Sequence, residues 1–337
     1  MRRWLALALA AALLLSGCAG KQAESRQAVY LDVFDTVTTV AAVGMDEADF
    51  QQAAEKIHET LLFYHRLFDI YNDYEGLNNL KTVNDHAGIA PVKVDGEIIR
   101  LLLDCRDYYE RTDHAVNVAM GSVLRLWHEA RTKALDDPEG ASLPEEAALR
   151  AASKHCGWDT VQIDEEASTV YLTDSEQSLD VGAVAKGWAA GKAAAQAPTG
   201  FLISVGGNVC ATGPKEADTP WVVGIADPDG GEGYLSTLND WDKAIVTSGD
   251  YQRYFELDGV RYHHIIDPKT LYPAARFRSV TVVCADSGLA DALSTALFVL
   301  PLEEGKALAA KAGAEAMWLD TQGNLTQTPG FSQYLAG

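Results

Sequence analysis

The chain has 337 residues, 47% of them hydrophobic, with 27 Lys+Arg against 48 Asp+Glu for a formal net charge of −21. That balance repels nucleic acid, and with no polybasic block it argues against charge-driven binding to anionic lipid headgroups, while favouring a divalent cation. Besides Cys18, the cysteines Cys105, Cys156, Cys210 and Cys284 are far apart and form no CxxC pair, so neither a zinc site nor a dense disulfide framework is indicated.

Arg2 and Arg3, the apolar run Leu5 to Leu15 and the sequence Leu15-Ser16-Gly17-Cys18 have the order of an export leader with an attachment cysteine. The run is short for a membrane span, and a cysteine directly after Ser-Gly matches a lipoprotein box, in which the thiol receives diacylglycerol after cleavage. The expected layout is a signal peptide over 1–17, lipidated Cys18 and a polar tether over 18–28, and a catalytic domain over 29–330. An ordinary signal peptide with a chance cysteine is the alternative.

Alternating β-branched and polar residues over Val29 to Val43 predict a strand, followed by helices at about Asp46 to Tyr64 and Glu97 to Tyr109. Asp113 to Trp127 reads as a loop entering a helix, with Gly121 near its start and the Asn117 amide open to a base or ring. The polar, turn-rich stretch 132–146 predicts a boundary between two lobes. Strands are then expected at Val161 to Ile163, Thr169 to Leu172, Phe201 to Val205, Trp221 to Ala226, Ala244 to Val246, Tyr262 to Ile266 and Ser279 to Val283. Helices are expected at Ala185 to Gln196, Leu289 to Val299 and Leu302 to Ala312. Hairpin-like strands mixed with helices indicate a two-lobed α+β protein with a mixed sheet, and there is no G-x-G-x-x-G or P-loop.

Four segments could carry chemistry. In ADALSTA, Asp291 and Thr295 lie four apart on one helical face, within reach of a shared oxygen-ligand cation; a helix-dipole Asp and a Thr bonded to its own backbone is the plainer account. In LDVGAVAKG, Gly182 and Gly187 allow close backbone approach, and the following helix offers free N–H groups to a phosphate beside Lys186; tight helix–sheet packing explains the glycines equally well. In ISVGGN, Gly206 and Gly207 suit a sharp turn or a flat ring against the backbone. In TSGDYQRYFELDGVRYHHIIDP, Thr247, Ser248 and Asp250 could ring a phosphate, and strand alternation sends His263 and His264 to opposite faces, with His264 the better acid–base candidate.

Taken in this order, FDTVTT, YNDYEGLNNLKTVN, GSVLRLW, LDVGAVAKG, ISVGGN, WVVGIADP, TSGDYQRYFELDGVRYHHIIDP and ADALSTALFVL resemble the FAD:protein FMN transferase (ApbE-like) family from about Val29 to Leu319. The resemblance implies an FAD cleft between the lobes and Mg²⁺-dependent transfer of FMN from FAD to a threonine hydroxyl of another protein, releasing AMP. It places the metal on Asp291, Thr295 and the Ala183 carbonyl with Ser294 beside them. Cofactor contacts are expected from Phe34, Asn117, Asp180, Lys186, Gly206, Gly207, Thr247, Ser248 and Ile265. His264 is expected to orient or deprotonate the threonine, with Asp250 and Asp267 behind it. Phe34 stands where the family usually has Met, Val116-Asn117 where it has Phe-Asp, and Leu271 where a Gly usually follows Asp-Pro-Lys-Thr. The implied partner is an exported or membrane redox protein that receives flavin on threonine, with the enzyme lipid-anchored on the extracytoplasmic side and a homodimer left open. An Mg²⁺-dependent FAD pyrophosphatase yielding FMN and AMP, and a non-catalytic flavin-binding lipoprotein, are the competing readings.

Overall fold

The computed structural model describes residues 24–230 and 233–337, so the leader and Cys18 lie outside the described residues. The chain opens with β1 (Ser25–Val33) and β2 (Thr36–Val43), which pair antiparallel. One strand was expected over this stretch; Phe34 and Asp35, at φ 54° and 50°, instead turn it into a hairpin. Neither is a glycine, so the turn carries no composition signal.

Next come α1 (Glu47–Phe68), α2 (Leu80–Asp85), β3 (Val92–Lys93), α3 (Gly96–Arg111), α4 (Gly121–Asp136) and α5 (Glu146–Ala152). Asp46 caps α1 by accepting from the Ala48 amide at 3.0 Å, and Asp95 caps α3 through Glu97 at 2.8 Å, which fixes both starts. Then follow β4 (Val161–Asp164), β5 (Thr169–Leu172), α6 (Ala185–Gln196), β6 (Phe201–Val205), β7 (Asn208–Ala211), β8 (Trp221–Ala226) and β9 (Tyr234–Asp240). The chain ends with β10 (Ala244–Gly249), β11 (Tyr254–Leu257), β12 (Val260–His263), β13 (Phe277–Cys284), α7 (Ser287–Val299), α8 (Leu302–Ala312), β14 (Glu315–Asp320) and β15 (Leu325–Gln327).

The main sheet has eight strands in the order β1-β2-β6-β7-β10-β13-β14-β15. Every strand pair among the described residues is antiparallel, so the fold is α+β as expected but the sheet is not mixed. One face carries α1, α6 and α7 over a core that includes Val40, Ile203, Val246, Val280, Leu61, Ala189 and Leu293. The other face is covered by the β8–β9 ribbon through Val223, Ile225 and Leu238 packed on Ile245 and Val283. A smaller core joins α4 and α5 to the β11–β12 ribbon through Trp127, Leu149, Phe255 and Ile266. Residues 132–146, where a boundary between lobes was expected, run from the end of α4 to the start of α5. The apolar stripes of these elements thus face four contiguous interiors among the described residues, the fourth a small one around Ala41, Ala211 and Trp221.

Strand registers give the sheet two functional ends. Phe34-Asp35, Gly206-Gly207 and the close of β10 lie at one end, which α6 starts from and α1 runs toward. Val43, Phe201, Ala211, Ala244 and Cys284 mark the opposite end. No described helix is long and apolar enough to cross a membrane.

Candidate active site

The site forms where α6 begins against α7. Asp291, one turn into α7 and 3% exposed, accepts the Gly187 amide of α6 at 2.8 Å, and Lys186 Nζ stands 3.7 Å from the same carboxylate oxygen. This contact requires glycine: a Cβ on Gly187 would run into the Ser287 carbonyl and Asp291 Cβ. Burial raises the Asp291 pKa, and Lys186 is the largest opposing influence. Asn208 lies against the same carboxylate, though its buried Nδ2 is not aligned for a hydrogen bond. Thus an amide of the α6 start, expected to be open to phosphate, is already given to Asp291.

Ser294, fully buried, donates to the Asp291 carbonyl at 2.9 Å and bonds Ser248 of β10 at 2.8 Å. Thr295 sits one turn beyond Asp291, half-buried, and its hydroxyl has no hydrogen bond among the described residues. Thr247 points to the other face of the sheet, bonded to Thr281 at 2.9 Å, so it does not join Ser248.

The loop before α6 is held on all sides. Asp180 receives the Gly182 amide at 2.8 Å and donates its own N–H to Val118 at 2.8 Å, while Asn84 bonds both main-chain groups of Leu179. The carbonyl of Gly182 takes Lys186 Nζ at 3.4 Å, and half-buried Ala183 follows it in the turn. Burial raises the Asp180 pKa against the opposing influence of the Gly182 amide, His128, Arg253 and Lys186.

At the strand end, Gly206 (φ 57°) and Gly207 (φ 95°) form the β6–β7 turn, and a Cβ on Gly206 would collide with Thr36. Phe34 lies beside it; its N–H reaches His65 Nδ1 at 3.2 Å and its carbonyl takes Arg253 Nη2 at 3.2 Å.

The two histidines do part, though not by strand alternation, because β12 stops at His263. His263 donates from Nε2 to the Ala274 carbonyl at 2.7 Å and accepts the Ile265 amide at 3.2 Å, leaving it no free nitrogen. His264 is solvent-exposed by area yet deep among protein atoms; desolvation first, then Arg253, pushes its pKa down to about 3. The open area means water offsets part of that desolvation, so the downward direction carries the argument and the ring is neutral at pH 7.

Other expected residues are spent on structure. Asp250 is held by Arg278 at 3.2 Å and Arg261 at 3.4 Å, and Asp267, 6% exposed, caps the turn through the Lys269 amide at 2.8 Å. Leu271 occupies a left-handed position in that turn at φ 65°, which explains why glycine suits it. Ile265 is buried in the main core, with its carbonyl given to Ala274. The Asn117 amide caps Ala119 at 2.9 Å and bonds the Cys156 carbonyl at 3.0 Å, so it is not open to a ring. The four described cysteines are free thiols.

Sequence reasoning missed a second group: Tyr71 stacks on His128 at 5.1 Å, and Arg131 Nη2 donates to His128 Nδ1 at 3.3 Å. The His128 and Arg131 spacing on one helix, i and i+3, was the available signal. A groove of about 310 Å³ between α1 and α6, lined by Gln52, Lys56 and Pro198 among others, lies at the opposite end of the sheet from these residues.

No cluster of three or more His, Cys, Asp or Glu side chains that could hold a metal occurs among the described residues. The donor set here is different: one buried carboxylate, an unengaged hydroxyl and turn carbonyls, the hard-oxygen chemistry that suits Mg²⁺ with retained waters.

Residues 34–318 match the ApbE family model. The chain is 38% identical over 248 residues to the FAD:protein FMN transferase of Treponema pallidum, covering 68% of this chain and 67% of that one. It is 30% identical to the Vibrio cholerae enzyme of the same description, over 92% and 91% of the two chains. Among solved structures, the ApbE protein of Thermotoga maritima superposes with a TM-score of 0.83 at 29% identity, over 93% of this chain and all of that one (100%). The Vibrio cholerae flavin transferase ApbE, as a His-to-Gly mutant, gives 0.76 at 26% identity, again over 93% and 100%. The chain belongs to the ApbE family and is an FAD:protein FMN transferase.

Proposed function

We propose that this enzyme transfers FMN from FAD to a threonine hydroxyl of an acceptor protein, releasing AMP, at the junction of α6, α7 and the close of β10. The observation that carries the proposal is the Asp291 arrangement: a buried carboxylate held at 2.8 Å by the first turn of α6, with Thr295 unengaged one turn away. A Mg²⁺ held by Asp291, Thr295 and the Ala183 carbonyl, with Ser294 supporting them, would neutralise charge on the pyrophosphate as the AMP oxygen leaves.

The protein's own groups divide the remaining work. Lys186 offers a positive charge beside Asp291, suited to a phosphoryl oxygen. Gly207, with only Gln252 near its missing Cβ, leaves room for the flavin nucleotide against the strand end, while the space at Gly206 is taken by Thr36; FAD would lie in a cleft beside this turn. His264, neutral at pH 7 and exposed, accepts the threonine proton at a ring nitrogen while the threonine oxygen bonds to the FMN phosphorus and the bond to AMP breaks. Phosphoryl transfer of this kind needs mainly alignment and charge, which rigid elements supply.

We further propose that Cys18 is lipidated and holds the enzyme on the extracytoplasmic face of the membrane, where it meets exported or membrane redox proteins that carry the acceptor threonine. The test is to follow AMP and FMN by chromatography, with FAD, Mg²⁺ and a candidate acceptor domain present or omitted singly. Transfer requires AMP to appear in step with acceptor-bound FMN. AMP with an equal amount of free FMN identifies a pyrophosphatase; intact FAD under every condition contradicts the catalytic reading.

A further inference from the structure

We infer that Arg131 and Arg253, with His128 between Arg131 and Tyr71, form an oxyanion subsite beside His264, which takes a phosphate of FAD or a carboxylate of the acceptor and positions it for transfer. The inference rests on the proposed reaction and adds residues to it.

Four observations support it. Neither guanidinium has an ion pair among the described residues, whereas Arg100, Arg111, Arg125 and Arg150 each pair with a carboxylate on their own helix. In a chain of net charge −21, half-buried Arg131 and exposed Arg253, neither of them in an ion pair, mark a place for a ligand anion. Arg131 spends one N–H on His128, so the rest of its fork is free. Because an arginine can only donate, His128 accepts at Nδ1 and carries its proton at Nε2, a further donor. Finally, Arg253 is tied to the proposed proton acceptor, since its carbonyl takes the His264 amide at 3.0 Å while its Nη2 braces the Phe34 carbonyl at 3.2 Å.

The two guanidiniums also feel each other: burial and then Arg253 lower the Arg131 pKa. A bound oxyanion relieves that repulsion. The buried Asp180 carboxylate feels His128, Arg253 and Lys186 together, so one acid is shared among several cationic or donor groups and leaves the Arg131–Arg253 pair with net positive charge.

The experiment compares the wild type with Arg131→Glu, Arg131→Ala and Arg131→Lys. FAD affinity is read by flavin fluorescence at two salt concentrations, KM for the acceptor domain by mass spectrometry, and Tm as a control for folding. Losing a charged hydrogen bond predicts about a 10- to 100-fold loss in Arg131→Glu with near-wild-type Tm, and substantial recovery in Arg131→Lys. If the anion belongs to the donor, FAD affinity falls and its salt dependence weakens; if it belongs to the acceptor, FAD affinity holds and the acceptor KM rises. FAD binding needs no turnover, so a loss there in a protein that transfers nothing keeps the subsite and rejects the transferase reading. Unchanged FAD affinity with unchanged acceptor KM overturns the subsite. So does unchanged FAD affinity in a protein without transfer, or a loss of all functions together with Tm in every variant.

Discussion

Two buried aspartates stand on opposite faces of the main sheet, one in α7 and one in the β8–β9 ribbon, and they are treated differently. Asp291 lies in α7 with an amide at 2.8 Å, Lys186 at 3.7 Å and an unengaged hydroxyl one turn away. Asp240, 1% exposed at the end of β9, accepts the Lys243 amide at 2.8 Å, but its Oδ2 has no partner, and neither does the indole N–H of Trp221 directly across the ribbon. Lys243 Nζ turns to Asp242 instead, at 2.9 Å. Burial therefore pushes the Asp240 carboxyl up to about 7. Buried charge alone does not mark a function; what distinguishes Asp291 is the set of polar groups brought to it by separate elements.

The largest expected effect is on the Asp291 side. Asp291→Ala should lower transfer by about 10³-fold or more, because several kcal/mol of charge stabilisation depends on the cation it would hold. Steady-state transfer rates across a Mg²⁺ titration check this, and a variant that keeps wild-type Mg²⁺ dependence contradicts the metal assignment. His264→Ala should cost roughly 10²-fold in kcat with little change in FAD affinity, as for a positioned proton acceptor. Since desolvation and Arg253 hold its pKa below the usual histidine range, the wild-type pH profile should show no limb from this ring between about pH 6.5 and 8; an ionisation near 6.5 or above that disappears in the variant would refute its neutral state.

A smaller effect is expected at the turn. Gly206→Ala forces a side chain into φ 57° and onto Thr36, a strain of about 1–3 kcal/mol that should lower Tm by several degrees and weaken FAD binding.

The smallest concerns Asp240 and separates the two regions most cleanly. Between about pH 4 and 7 an unfolded aspartate is ionised while the folded Asp240 keeps its proton, so the native state binds more protons and loses stability as pH rises through that window. Asp240→Asn should flatten this decline, raising Tm by a few degrees at pH 8 and leaving transfer unchanged. Thermal melts from pH 4 to 8 decide it: the same slope in both proteins would mean that Asp240 is not the titrating group.

The same contrast shows what the sequence could reveal. Helical spacing puts Asp291 and Thr295 on one face, but a helix-dipole Asp and a back-bonded Thr fit that spacing too, and their pairing as metal ligands came from the family resemblance. Asp240 was not, because its burial arises only when the β8–β9 ribbon closes over the sheet. The bounds of β5, β6, β8, α6 and α8 followed from local periodicity and turn residues. The Phe34-Asp35 hairpin escaped because its left-handed residues are not glycines, and the end of β12 at His263 escaped because apolar Ile265 and Ile266 continue its pattern into a buried bend. Asp250, Asp267 and Asn117 were right in chemical type for a site, yet their partners come from Arg278, the Lys269 amide and the Cys156 carbonyl, contacts that residue identity does not disclose. Tyr71, His128, Arg131 and Arg253 come from three chain segments and converge only in the fold.

The most direct test of the central claim is the intact mass of a candidate acceptor domain incubated with the purified enzyme, FAD and Mg²⁺, beside an Asp291→Ala control. A gain of one FMN unit on a threonine, absent in the control, is the predicted result. An acceptor that gains the same mass with the Asp291→Ala protein would contradict the account.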